Sequence, residues 1–213
     1  MRYEVVGELT PAEYADRLTA GWRRFGHSLF RPDCPACDAC QSLRVDVPAF
    51  RPSDTQKRVW RLNAGEVTLT VGEPAATAEK LALYDAFHAA QADRVGWPHR
   101  DTESLADYHE AFIGNPFASE EWCYRVGDRL VGVGYVDRLP VGLSAIYFFH
   151  DPDERRRSLG VLNVLSTLKA AADAGLPHVY LGYYVAGCRS LEYKAKYRPN
   201  EVLGDGAWGP FVE

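Results

Sequence analysis

The chain has 213 residues, 46% hydrophobic and 25% charged, which is enough for one substantial core or for one core with a small appended module. A formal charge of −5 excludes a surface that is basic all over and argues against a general nucleic-acid cushion, because phosphate binding is driven by Lys and Arg. No apolar run approaches the roughly 20 residues needed to span a bilayer, and the N-terminus has no charged-then-apolar leader pattern. Five cysteines, an odd number, fit a reducing compartment better than a disulfide scaffold, so a cytoplasmic protein is expected.

Thr10-Pro11-Ala12-Glu13 reads as a helix start with a capping box, and a helix to about Gly21 follows. From His27 to Pro52 the chain carries four prolines and the triplet Cys34, Cys37 and Cys40 around one short strand, Leu43 to Val47. Such a module needs outside help to hold its shape. A stretch rich in Arg leads to an alternating strand at 67–71, a helix from Thr77 to Trp97 and a second helix from Thr102 to Ile113. Three consecutive antiparallel strands are expected at 122–126, 130–137 and 143–150, then a helix from Ser158 to Ala174 and a strand from His178 to Tyr183. This order predicts an α+β fold with a mixed sheet and flanking helices of the acetyltransferase (GNAT) type, at residues 63–213. Residues 1–62 are expected to form a small N-terminal cysteine-containing module.

Three features could carry chemistry. Arg155-Arg156-Arg157-Ser158-Leu159-Gly160 opens a helix directly after a strand, where free N–H groups and the helix dipole suit a phosphate. Asp153 or Ser158 acting as a simple cap is the plain alternative. An acetyl-CoA enzyme would have Gly or Ala where Leu162 stands, so the phosphate could instead belong to the 3′ end of a tRNA. The cysteines, spaced two residues apart twice, could converge on one ion. Zinc and cubane clusters want four ligands, with Cys123, Cys188 or His27 available to complete the set, and free thiols are the alternative. Basic residues recur at Trp22-Arg23-Arg24, at Arg58, and at Lys194, Lys196 and Arg198.

Several longer blocks carry a resemblance. Asp137-Arg138-Leu139-Pro140, Tyr147-Phe148-Phe149-His150-Asp151-Pro152, Arg157-Ser158-Leu159-Gly160, Tyr180-Leu181-Gly182-Tyr183 and Tyr193-Lys194-Ala195-Lys196-Tyr197-Arg198-Pro199 resemble the C-terminal region of the arginyl-tRNA–protein transferase family. Gly21-Trp22-Arg23-Arg24-Phe25-Gly26, Phe30-Arg31-Pro32-Asp33-Cys34 and Phe50-Arg51-Pro52-Ser53 look like its N-terminal blocks. The resemblance implies transfer of an amino acid from its tRNA to the α-amine of proteins beginning with Asp or Glu, which marks them for degradation. The cysteine pattern looks like the bacterial branch, with leucyl-tRNA as donor; arginyl-tRNA is the eukaryotic donor. It also suggests a zinc or iron–sulfur cluster. Family members carry a further cysteine in an earlier segment, and this chain is expected to start after it and to lack that ligand.

An aminoacyl ester is already activated, so the reaction needs positioning and oxyanion stabilisation more than a strong base, and direct attack by the amine is expected. Asp137, Tyr147 and Tyr183 are candidates to orient the amine or relay its proton, and both tyrosines also suit core positions. Trp22, Arg23, Arg24, Arg157, Ser158, Leu159 and Gly160 are candidates for the donor tRNA. Arg58, Lys194, Lys196 and Arg198 are candidates for the acceptor's carboxylate. The alternatives are an acetyl-CoA-dependent N-acetyltransferase, or a non-catalytic, metal-stabilised binding domain.

Overall fold

The structure is a computed structural model and describes residues 1–99 and 103–212. In chain order the strands are β1 (Arg2–Val5), β2 (Arg23–Phe25), β3 (Ser28–Arg31), β4 (Gln41–Asp46), β5 (Val67–Gly72), β6 (Ser119–Val126), β7 (Arg129–Leu139), β8 (Gly142–His150), β9 (His178–Tyr184), β10 (Asn200–Gly204) and β11 (Ala207–Pro210). The helices are α1 (Pro11–Thr19), α2 (Asp54–Asn63), α3 (Ala78–Val95), α4 (Leu105–Phe112), α5 (Leu159–Asp173) and the single turn α6 (Arg189–Glu192). Strands β1, β3 and β2 form a small antiparallel sheet, and the others form one sheet in the order β11-β10-β4-β9-β8-β7-β6-β5. Among the described residues only β8 and β9 run parallel, so the sheet is mixed and the α+β expectation stands.

Local chemistry accounts for the helix starts. The Thr10 hydroxyl accepts from the Glu13 N–H at 3.2 Å while the Glu13 carboxylate accepts from the Thr10 N–H at 3.0 Å, which closes the expected capping box of α1. Ser53 and Gln56 make the same arrangement at the start of α2. In sequence, α2 shows only as part of an arginine-rich stretch. Its buried positions are Gln56, Val59 and Asn63, and two of the three are polar, so no apolar stripe announces it. The start of the expected second helix, Thr102, lies outside the described residues. The helix itself runs from Leu105, capped by Ser104.

The large sheet is covered on both faces. On β7, Val133 and Tyr135 point towards α3 and α4 and pack with Tyr84, Phe87, Phe112 and Phe149. Val136 points the other way, into a core with Leu143, Val179 and the α5 residues Leu162, Leu165 and Leu168. Each fully buried Leu or Val contributes about 1.5–3 kcal/mol, so these two layers fix the sheet between the helices. Gly134 lets α5 approach closely, because a Cβ there would stand 2.9 Å from the Asn163 Oδ1. Strand β4 lies on the N-terminal side of the expected boundary near residue 62, yet it pairs between β9 and β10 inside the large sheet.

Candidate active site

Strands β8 and β9 pair at only two positions, Leu143 with Val179 and Ser144 with Tyr180. Beyond these, β8 stays with β7 and β9 with β4, and each of those pairings contains a register shift, at Tyr135/Val136 and at Leu43/Arg44. Such shifts bend and twist a strand, so the sheet parts into a wedge towards the C-terminal ends of β8 and β9. Strand β2 lies across it. The Phe25 ring sits 6.0 Å from that of Tyr147 on β8, and the Arg23 Nη2 donates to the Gly182 carbonyl of β9 at 3.3 Å.

Two buried cations line the β9 side. Lys194, 7% exposed, donates from Nζ to the Tyr183 carbonyl at 2.7 Å, next to the carbonyl that Arg23 holds. Gly182 has φ +89, and a Cβ there would stand 3.3 Å from that Nζ. Arg23, 5% exposed, spends Nη2 on the Leu43 and Gly182 carbonyls, while Nε and Nη1 have no partner among the described residues. Burial, reinforced by the charge of Arg23, pushes the Lys194 ammonium down to about 8. No ion pair joins either cation to a carboxylate among the described residues. Two like charges in a dry wall cost several kcal/mol each unless something anionic joins them.

Opposite them, the His88 Nδ1 faces the Tyr84 carbonyl at 2.9 Å and its Nε2 faces the Tyr147 hydroxyl at 2.9 Å. A carbonyl only accepts, so in the neutral ring Nδ1 carries the proton and Nε2 accepts from the Tyr147 phenol. Phe25, Tyr84, Phe112 and Tyr147, together with the acids Glu103 and Asp107, also wall a recess of about 200 Å³ beside this pair. In sequence, His88 sits in the apolar stripe of α3 and looks like a core residue, so nothing marks it as functional.

Other candidates are placed elsewhere. Asp137 is fully buried and receives two hydrogen bonds from Arg24, at 3.0 and 2.8 Å, plus the Ser119 hydroxyl at 2.5 Å. Asp137 and Arg24 are thus a structural ion pair, not an amine-orienting acid and a tRNA contact. Trp22 is 3% exposed, in a cluster with Tyr14 and Leu18, so it is a packing residue and not a stacking platform. The Tyr183 hydroxyl lies 3.0 Å from the carbonyls of both Gly21 and Phe30, and burial raises its pKa to about 12, which makes it a tie between β9 and the small sheet. Arg157 is held by Glu154 and Glu66, each at 2.8 Å, so its charge is already matched. Ser158, in the left-handed region with φ 53, makes no side-chain cap, Leu159 is buried in the core, and Gly160 opens α5. Lys196 and Arg198 are exposed while Lys194 is buried, so the three do not share a face. Arg58 is exposed on α2.

The structure gives the metal reading no support. Cys34, Cys37 and Cys40 are exposed free thiols, and among the described residues no three His, Cys, Asp or Glu side chains converge as a ligand set. His27 turns its Nδ1 to the Val6 carbonyl, Cys188 pairs with the Ser190 hydroxyl, and Cys123 lies beside Glu121 with its pKa raised by burial to about 11.

Comparison with known proteins brings these observations together. The family pattern described as "Arginine-tRNA-protein transferase, N terminus" matches residues 2–58, and its C-terminus counterpart matches residues 79–204. A protein from Chromobacterium violaceum named aspartate/glutamate leucyltransferase is 38% identical over 200 residues, covering 94% of this chain and 81% of its own. Its namesake from Alkalilimnicola ehrlichii is 35% identical over 94% of this chain and 82% of its own. Among solved structures, a C-terminal DUF2156 domain from Agrobacterium fabrum superposes with a TM-score of 0.55 at 16% identity, covering 95% of this chain. L-PGS from Bacillus licheniformis superposes with a TM-score of 0.52 at 10% identity, covering 85% of this chain. The chain spans 64% and 53% of those two structures, and they speak to the fold alone. The chain is thus an aminoacyltransferase by its family and relatives. The chain belongs to the arginine-tRNA-protein transferase family, and relatives in its bacterial branch are named aspartate/glutamate leucyltransferase.

Proposed function

We propose that this chain moves a leucyl group from leucyl-tRNA to the N-terminal α-amine of proteins beginning with Asp or Glu, in the cytoplasm, tagging them for degradation. The observation that carries this reading is the match of both family blocks, with leucyltransferase relatives that align along 94% of the chain. Arginyl-tRNA is the other donor of the family's chemistry. The recess beside Tyr147 holds the Glu103 and Asp107 carboxylates among its aromatic rings, and the preference for leucine rests on the named relatives. The β8–β9 wedge supports a GNAT-type placement of the acyl group. Acetyl-CoA is not favoured as donor, because Leu162 stands where a pyrophosphate needs a small residue and is packed into the core.

In this reading the acceptor amine attacks the ester carbonyl directly. The C–N bond forms, the C–O bond to the tRNA ribose breaks, and the proton lost by nitrogen ends on the leaving 3′-oxygen. Tyr147, backed by His88, is positioned to pass that proton. Lys194, with Arg23 behind it, supplies the positive charge for the acceptor's acidic side chain. Incubation with labelled leucyl- or arginyl-tRNA and peptides starting with Asp, Glu or Ala tests the proposal. Label is expected on the acidic-start peptides only; no label on them, with acetyl-CoA acting as donor instead, would overturn it.

A further inference from the structure

The wedge opens where three elements end. Strand β8 runs into the tight turn 152–157, β9 continues through residues 185–188 into α6, and α3 stops at Gly96 with φ 74. These ends surround one open depression of about 950 Å³, lined by Arg94 of α3, Arg155 of the turn, Arg189 of α6, and Trp97. All three arginines are exposed, and none has a carboxylate partner among the described residues. Of the nearby acids, Asp151 pairs with Arg129 and Glu154 with Arg129 and Arg157, while Asp93 and Asp153 are exposed and do not line the depression. A positive basin therefore sits at the wedge mouth of a chain whose net charge is −5. Guanidinium groups match phosphate oxygens in shape and charge, and the half-buried Trp97 ring, seated on Phe87 and His88, offers its open part to a base. The single carboxylate of an acceptor would not need three arginines spread over so wide a floor.

We infer that this basin seats the single-stranded 3′ end of the donor tRNA, with phosphates on Arg94, Arg155 and Arg189 and a base against Trp97, so that the ester enters the wedge between β8 and β9. This rests on the transferase reading and adds the place and the residues that hold the donor. It also moves the donor contacts from Arg157 to its neighbour Arg155.

The test measures tRNA affinity of the full chain, and of a single-stranded oligonucleotide ending in CCA, across a salt series. Each of Arg94→Ala, Arg155→Ala and Arg189→Ala is expected to weaken binding about 3- to 10-fold and to lower the slope of log affinity against log salt by about 0.7. The triple variant loses about 100-fold or more, with the KM for an Asp-initiated peptide unchanged. Arg156→Ala, exposed outside the basin, binds as the wild type does. Trp97→Leu weakens oligonucleotide binding about 5-fold or more with an unchanged slope. A folded triple variant with wild-type affinity and slope overturns the inference, as does one that raises only the peptide KM. If tRNA binds through these arginines yet no amino acid is transferred, the basin stands and the transferase reading fails. If transfer persists while tRNA binding ignores the arginines, the basin fails and the transferase reading stands.

Discussion

Arg23 and Arg24 are neighbours on β2, both more than nine-tenths buried, and they head two regions of opposite character. Arg24 belongs to a closed junction in which Asp137, Asn115, Ser119 and the Gly26 carbonyl satisfy its guanidinium. Arg23 belongs to the wedge, where it and Lys194 rest on consecutive β9 carbonyls with no carboxylate to match them among the described residues. A completed ion pair spends its charge on stability, whereas an incomplete one holds its charge for a ligand. Burial alone therefore did not separate scaffold from site; the state of the partner did.

The largest expected effect breaks the closed region. Asp137→Asn strands a buried guanidinium, and urea unfolding is expected to show a loss of about 3–5 kcal/mol. At a temperature where the variant is still folded, kcat should be preserved. A collapse of kcat with intact stability would return Asp137 to the catalytic group. The open region should behave in reverse: Lys194→Met removes an uncompensated buried charge, so stability holds or rises. The KM for Asp- and Glu-initiated peptides should climb about 30-fold, equivalent to about 2 kcal/mol, with tRNA affinity unchanged.

The pH dependence sharpens the same contrast. Lys194 is pushed down to about 8 by burial, with the Arg23 charge from β2 acting in the same sense and Cys188, from the segment after β9, opposing it. Only the protonated amine grips a carboxylate, so acidic-peptide affinity is full below that value and falls as pH rises through it. Lys194→Arg should abolish this fall, and a steady profile in the wild type would remove Lys194 from acceptor recognition. Across the wedge, Tyr147→Phe and His88→Gln are each expected to lower kcat about 100-fold with little change in either KM. Because they act in one relay, the double variant should be no slower than either single one. Fully additive losses would break the relay. The smallest effect is expected at the exposed cysteines, where replacing Cys34, Cys37 and Cys40 by Ser should shift stability by no more than about 0.5 kcal/mol.

The strands from β6 to β9 and helices α1, α3 and α5 were readable because period-2 and period-3.6 apolar patterns report directly on which face is buried. Strands β1–β3, β10 and β11 are short, and α2 buries more polar than apolar residues, so pattern said little about them. Lys194 was legible as a basic residue in a distinctive block. That it alone among Lys194, Lys196 and Arg198 is buried depends on the turn that carries it, which periodicity could not decide.

By itself, the amino-acid sequence determined the class: an α+β chain of the arginine-tRNA-protein transferase family, because long ordered blocks and alternating apolar runs are properties of the chain. Tertiary structure alone decided which charges are free. Arg24 found Asp137 at a sequence distance of 113 residues and Arg157 found Glu66 at 91, while Arg23, Arg94, Arg155 and Arg189 found no carboxylate among the described residues. Pairing of charges far apart in the chain is set by how the sheet and helices pack. No local pattern encodes it.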